Sequence, residues 1–589
     1  MIIKNIRKRM INKLSFLYGE QSGYKILNKI EKIIEFFLTK YPVRYKDGKE
    51  WVDEKDIILI TYGDQIKEGE RPPLESLGEF LNEYVKEVVN SIHILPFYPY
   101  SSDDGFSVTN YFKVNPELGK WKNIKKISEN FDLMLDAVVN HISAKSEWFK
   151  GYLEGNEEYK KFFIDVDCGT DLSSVTRPRN SLLLTRFKTF KGEKYIWTTF
   201  SGDQVDLNYK NEKVLLKVIE LLLFYIGKGA RFIRLDAAGY IWKEIGTKCI
   251  NLAKTHKIVQ LFRDVLEIVA PEVILITETN VAHKDNIGYF GNGYNESHMV
   301  YQFPLPPLVS NAFYKGDADH LSKWIDSLDG FSKRTAFFNF LASHDGIGIM
   351  PVWEILSREE VDEMVKKVKA RGGAVSYRDN GDGTKSIYEL NINYLDALSE
   401  LGEEEDLKVK RFICSQAILS SLAGVPGIYI HSLIGSRNHQ KIKRELQKHK
   451  DIDRRSINRE KFGRKNLEEE LRNPDNLRYK VFAKYKELIK RRTGEKAFHP
   501  NGEQRVILEN KHIFALLRTS VDDSERIVCL HNVSSKIQVI KIKPEKVGFQ
   551  CLAFRDIISG KVWKVKVGIL KVALAPYEIL WLKAVIENR

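Results

Sequence analysis

Cysteine is scarce in this chain: the 589 residues hold five, Cys168, Cys249, Cys414, Cys529 and Cys551. An odd number without CxxC spacing points to neither a disulfide framework nor a zinc knuckle, so reduced thiols are expected. No apolar run reaches the roughly 18 to 20 residues that span a bilayer. The basic start, from Ile2 to Lys13, lacks the apolar stretch and small-residue cleavage site of a signal peptide. Glycine-rich nucleotide loops, metal-ligand constellations, internal repeats and low-complexity tracts are also missing. These absences leave a cytoplasmic protein without a cofactor as the expectation.

The net charge of +14 does not by itself imply nucleic acid or a membrane, because Lys and Arg are scattered and interleaved with Asp and Glu. A hydrophobic fraction of 43% and a charged fraction of 29% are ordinary for a soluble globular protein. The length allows two or three domains.

From Trp51 onward, β-branched and apolar runs alternate with helical segments, at residues 57–61, 92–97, 133–139, 231–235, 273–277, 300–303, 337–341 and 427–431. Eight such runs predict an α/β fold, a parallel (β/α)8 TIM barrel whose site lies at the C-terminal ends of the strands. The barrel is expected over 51–144 and 207–499. Residues 1–50, with apolar positions at helical spacing from 26 to 38, predict a helical extension appended to it. Two connections are too long for simple loops. Residues 145–206, after the third strand, predict an inserted small domain. Residues 354–400, after the seventh, predict an insert folding over the site, with a turn cluster at Asp379-Asn-Gly-Asp-Gly383. Short alternating runs at 505–508, 513–517, 527–531, 537–542 and 579–582 predict an all-β C-terminal domain over 500–589.

Acidic residues close four of the apolar runs: Asp136-Ala-Val-Val-Asn140-His141, Arg234-Leu-Asp236, Thr277-Glu278 and Ser343-His344-Asp345-Gly346. A carboxylate at the end of a buried strand is costly unless it is used, so these segments predict one convergent site. In Arg234-Leu-Asp236 the side chains at i and i+2 face the same way, which sets a guanidinium beside Asp236 and keeps it ionised, as a glycosidic nucleophile requires. Taken alone, the motif has a structural ion pair as its alternative reading. Glu278 has no cation beside it in sequence, so burial or Asp236 can raise its pKa and suit it to general acid catalysis. Two carboxylates on adjacent strands approach the roughly 5 to 5.5 Å separation of retaining glycosyl transfer. His141 and His344 are expected to bond sugar hydroxyls, and Asp345 to hold the ring distorted toward an oxocarbenium-like state. Either histidine in isolation reads as a satisfied core residue.

In this order and at these spacings the four segments resemble the signature regions of the α-amylase superfamily, glycoside hydrolase family 13. The resemblance covers residues 56–432. It implies Asp236 as nucleophile, Glu278 as acid/base and Asp345 as transition-state stabiliser, with Arg234, His141 and His344 lining the glucosyl subsite and 145–206 forming domain B. His93-Ile-Leu-Pro-Phe-Tyr-Pro, Asp103-Asp-Gly-Phe106, Arg177-Pro-Arg179, Asp236-Ala-Ala-Gly-Tyr240 and Arg455-Ser-Ile-Asn-Arg459 resemble the sucrose phosphorylase subfamily, which passes glucose to phosphate by double displacement with retention. By that likeness Asp103 and Arg455 or Arg459 clamp the far end of the glucose. Phe106 forms an apolar platform, and Arg177 or Arg179, Tyr240 and Tyr388 receive phosphate.

Residues 424–438 and 388–397 are more similar to the glucosylglycerate phosphorylase branch. That likeness implies reversible phosphorolysis of 2-O-α-D-glucosylglycerate to α-D-glucose 1-phosphate and D-glycerate. Arg437, or an arginine of the insert, would meet the anionic acceptor, though Arg437 reads equally as a helix cap. Sucrose, sucrose 6-phosphate and glucosylglycerol are the alternative donors, and an α-glucoside hydrolase or transglucosidase is the alternative chemistry. Retention of all three acids argues against a non-catalytic barrel. Inorganic phosphate is the implied co-substrate, with no metal and no other cofactor. The implied partners are a small sugar and phosphate rather than nucleic acid or a membrane, and a homodimer is compatible with the sequence.

Overall fold

The runs Ile58–Thr61, Ala230–Leu235 and Ile274–Thr277 are buried at every position. Continuous rather than alternating burial is what parallel strands covered on both faces require. In the computed structural model these runs join Ser91–Ile94, Asp132–Ala137, Met299–Tyr301, Ala336–Phe340 and Val425–Tyr429 in a closed eight-stranded barrel. All pairings are parallel, and the last strand closes on the first. The TIM barrel read from the sequence is the fold, with strand ends shifted by up to about three residues, as is usual for element boundaries. Leu235 is in register with Ala137 on one side and Thr277 on the other. The next residues, Asp236 and Glu278, therefore emerge at one level of the rim.

The structure describes residues 2–41, 51–328, 332–380, 384–446, 453–549 and 551–585. Helices Ile2–Tyr18 and Glu20–Lys40 turn about Gly19, at φ 84°. They pack on the barrel helices Glu212–Gly227 and Ala253–Val269, and Ile6, Met10, Leu14, Ile26, Leu27 and Ile30 join the same buried cluster as the barrel. Lys13 pairs with the buried Asp264. These helices share the barrel's core instead of standing apart, because a helix pair this small buries its apolar faces only against another surface. Residues 42–50 of the extension lie outside the described residues.

After the third strand come helix Glu147–Glu154 and the antiparallel strands Asp165–Val166, Leu184–Thr189 and Gly192–Trp197. Strand Gln204–Asp206 then returns to pair with His141–Ser143. After the seventh strand come helix Arg358–Ala370 and the hairpin Ala374–Asp379 with Lys385–Asn391. Residues Gly381, Asp382 and Gly383 of the predicted turn cluster lie outside the described residues. The C-terminal part holds a six-stranded sheet and a two-stranded one. Three of its strands, Ala553–Asp556, Val562–Lys564 and Leu570–Leu574, are additional to those read from the sequence. Among the described residues no helix is long and apolar enough to cross a membrane.

Candidate active site

Arg234 organises the floor of the site. It lies on the fourth strand in register with Asp136, and its side chain is only 2% exposed. Nη1 donates to Asp136 Oδ1 at 2.5 Å and to Asp236 Oδ1 at 2.9 Å, Nε donates to Tyr301 Oη at 3.0 Å, and Nη2 lies 3.9 Å from Glu278 Oε2. His93 Nε2 holds the other oxygen of Asp136 at 2.7 Å. Burial would raise the Asp136 pKa, but Arg234 and His93 more than offset this and hold it at about 2. Asp136 is thus a permanent counter-ion that claims part of the charge of Arg234.

Ala237, at φ 48°, directs its amide to Glu278 Oε2 at 3.0 Å, which brings Glu278 next to Asp236. Burial pushes Glu278 up to about 7, with the charge of Asp236 adding and Arg234 opposing. Burial also raises Asp236 from its ordinary value, against Arg234. The expectation that Arg234 simply keeps Asp236 ionised is therefore incomplete, because this guanidinium also serves Asp136. Geometry still ranks the pair. Asp236 has the direct bond and Glu278 only the 3.9 Å approach, so the proton they share resides on Glu278.

Opposite them, Phe106 stacks on His344 with ring centroids 4.9 Å apart and planes 5° from parallel. Burial lowers His344 to about 3, so its ring is neutral. Burial would raise Asp345, yet it is held well below the ordinary carboxylate range. A neutral imidazole cannot supply the charge for this, so it comes from Arg455 at 3.0 Å and Arg459 at 3.5 Å. Arg455 also reaches Asp103 at 2.5 Å, and Asp103 accepts further bonds from Arg179 at 3.1 Å and Gln204 at 3.0 Å. Asp103, Asp104 and Gly105 all have positive φ, of 56°, 48° and 110°. A Cβ on Gly105 would meet the Pro96 carbonyl at 2.5 Å, so only glycine fits the turn that presents Asp103.

Asp103, Phe106, Arg179, Arg234, Asp236, Glu278, His344, Asp345 and Arg455 line one cavity of 290 Å³ together with His141, Tyr240 and Tyr388. Its size is close to the lower end of small-molecule sites, about 300 Å³. Arg459 stands behind the wall, bonded to the His344 carbonyl at 2.7 Å and to Asp104 at 2.5 Å.

A model of the α-amylase catalytic domain matches residues 79–388, more than half of the chain. The chain belongs to the α-amylase family. It is 46% identical to a glucosylglycerate phosphorylase of Spirochaeta thermophila over 98% of both chains. It is 42% identical to a glucosylglycerate phosphorylase of Escherichia coli, over 98% of this chain and 100% of the other. Among solved structures, the sucrose 6F-phosphate phosphorylase from Thermoanaerobacter thermosaccharolyticum matches with a TM-score of 0.71 at 24% identity, over 87% of this chain and 98% of that one. That last likeness speaks for the fold alone.

Besides Arg459, two more arginines expected at the site of this α-amylase-family chain do not enter the cavity. Arg177 turns away, its Nη2 donating to the Ser181 carbonyl at 2.5 Å, while Arg179, two residues on, lines the wall. Arg437 is 46% exposed and pairs with Asp396, which also accepts from the Asn438 amide at 2.6 Å. It orders its own loop instead of facing a ligand.

Other lining residues were not anticipated: Phe200, Gln204, Asn280, Glu389 and Asp453. Asn280 follows Glu278 by two, and the same i, i+2 reasoning that joins Arg234 to Asp236 would have found it.

Lys243 was missed as well. Its buried ammonium lies 2.5 Å from Asp206 Oδ2 and donates to Asn140 Oδ1 at 2.6 Å. Asn140 in turn lies 3.2 Å from His141 Nδ1. One cation thus joins the inserted segment to the loop carrying His141. Lys243→Met is expected to cost about 3–5 kcal/mol of stability, because Asp206 stays buried without its cation. Urea unfolding of the full chain measures this, and a change below about 1 kcal/mol would contradict it.

Proposed function

We propose that this α-amylase-family chain is a glucosylglycerate phosphorylase. It converts 2-O-α-D-glucosylglycerate and inorganic phosphate reversibly to α-D-glucose 1-phosphate and D-glycerate, with retention. The observation that carries this reading is the 42 to 46% identity, along almost the whole chain, to relatives of that name.

The geometry supplies a mechanism for it. Asp236 Oδ attacks the anomeric carbon as the bond to the glycerate oxygen breaks, and Glu278 gives its proton to that oxygen. An oxygen of phosphate then attacks the same carbon, Glu278 takes its proton, and the ester to Asp236 is released. Asp345, kept ionised by Arg455 and Arg459, stabilises the positive charge that develops on the ring. Asp103 and Arg455 hold the hydroxyls at the closed end, and Phe106 and His344 give the ring an apolar wall. Arg179, Tyr240 and Tyr388 bind the phosphate oxygens; Arg177 and Arg437 have no part in it.

A panel of glucosylglycerate, sucrose, sucrose 6-phosphate and glucosylglycerol, each with phosphate, tests the assignment by release of glucose 1-phosphate. Glucosylglycerate is expected to give the highest kcat/KM. A higher value for any of the other three would move the chain to another branch of the same chemistry.

A further inference from the structure

Two carboxyls in the cavity wall take no part in the proposed mechanism, those of Asp453 and Glu389, and of these only Asp453 is bonded by a cation, Arg455. Glu389 stands on the second strand of the hairpin, opposite Gly348 on one side and Ser376 on the other. Between the pairs Ser376 with Glu389 and Tyr377 with Ile387 the strand gains one residue, Tyr388. A bulge of this kind re-aims side chains, and here both Tyr388 and Glu389 reach the cavity.

Glu389 is 8% exposed, and among the described residues its carboxyl makes no hydrogen bond or ion pair. The cations nearest to it are engaged elsewhere. Arg455, on the short turn Arg454–Asn458, bonds Asp103, Asp345 and Asp453, and Arg179 of the inserted segment bonds Asp103. Asp345 and Asp453 face Glu389 with like charge, while Tyr388, on its own strand, is kept neutral by burial. Asp103, Asp345 and Asp453 already share Arg179, Arg455 and Arg459, so a further negative charge would be unmatched. Burial, with Asp345 adding, pushes the Glu389 carboxyl up to about 7.

A cavity that takes phosphate in one direction and glycerate in the other receives an anion either way. A carboxylate in its wall would repel both. A carboxylic acid has an O–H to donate to an anionic oxygen, a charge-assisted bond stronger than a neutral one. We propose that Glu389 is a specificity-determining residue of the acceptor subsite, where its carboxylic acid donates a hydrogen bond to an oxygen of the anionic acceptor and its carboxylate excludes that acceptor. The inference rests on the phosphorylase reading.

The test runs the reaction in the synthetic direction, from saturating α-D-glucose 1-phosphate, with D-glycerate or uncharged glycerol as acceptor. Glycerate keeps its charge between pH 6.5 and 8.5, and Glu278 serves both acceptors alike, so its titration cancels in the quotient of the two kcat/KM values. That quotient is expected to fall about 25-fold over this range, the change in the acid fraction of a group titrating near 7. A second quotient, wild type over Glu389→Gln for glycerate alone, needs no second acceptor and is expected to fall by the same factor. If either quotient stays within about twofold, Glu389 does not select the acceptor. Failure to consume glucose 1-phosphate with any acceptor at pH 6.5 would instead count against the phosphorylase reading itself.

Discussion

Glu278→Gln is expected to lower kcat for glucosylglycerate phosphorolysis by about 10²–10⁴-fold, the range for losing a positioned general acid. The amide fills the same space and keeps an oxygen for the Ala237 amide, so the fold is expected to hold. What it lacks is the proton. In the wild type, kcat is expected to fall as pH rises through about 7, because burial beside Asp236 places the Glu278 ionisation there and only the acid form can protonate the leaving oxygen. The variant should lose this basic limb. It should also recover much of its rate with α-glucosyl fluoride, since departing fluoride needs little proton transfer. Unchanged turnover on glucosylglycerate would remove Glu278 from the acid/base role.

Asp236→Asn is expected to be more severe, with a loss on the order of 10⁴-fold or more, as for other residues that act as a unit with their partner. An amide does not displace the leaving group, and fluoride as leaving group cannot compensate for a missing nucleophile. Arg234 keeps its bonds to Asp136 and Tyr301 in this variant, so the barrel rim retains its frame. The double variant with Glu278→Gln should be scarcely slower than Asp236→Asn alone, because without the attack the proton transfer has no step to assist. Rates are read from glucose 1-phosphate release, with thermal unfolding as the check on folding. Near-additive losses would mean that the two carboxyls act independently.

The barrel was legible because parallel strands covered on both faces must be apolar throughout, and acids at the ends of such runs stand out. Register then places Asp236 and Glu278 side by side, a result the sequence order of the strands already implied. Tertiary partners were not legible. Nothing local distinguishes Arg177 from Arg179, yet one bonds the Ser181 carbonyl and the other Asp103. Arg437 is claimed by Asp396, far away in sequence. The Lys243 clamp draws Asp206 and Asn140 from two other segments, and Glu389 reaches the cavity through a bulge that alternation alone would not predict. Leu570–Leu574 does alternate buried and exposed residues, but it is only five residues long and pairs in a separate two-stranded sheet.

Glucosyl transfer to phosphate through a covalent intermediate on Asp236 is tested by NMR of glucosylglycerate with the full chain, with and without saturating phosphate. Glucose 1-phosphate is expected as the α anomer, formed in step with glycerate and only when phosphate is present. Free glucose as the main product at saturating phosphate, or glucose 1-phosphate of β configuration, would contradict it.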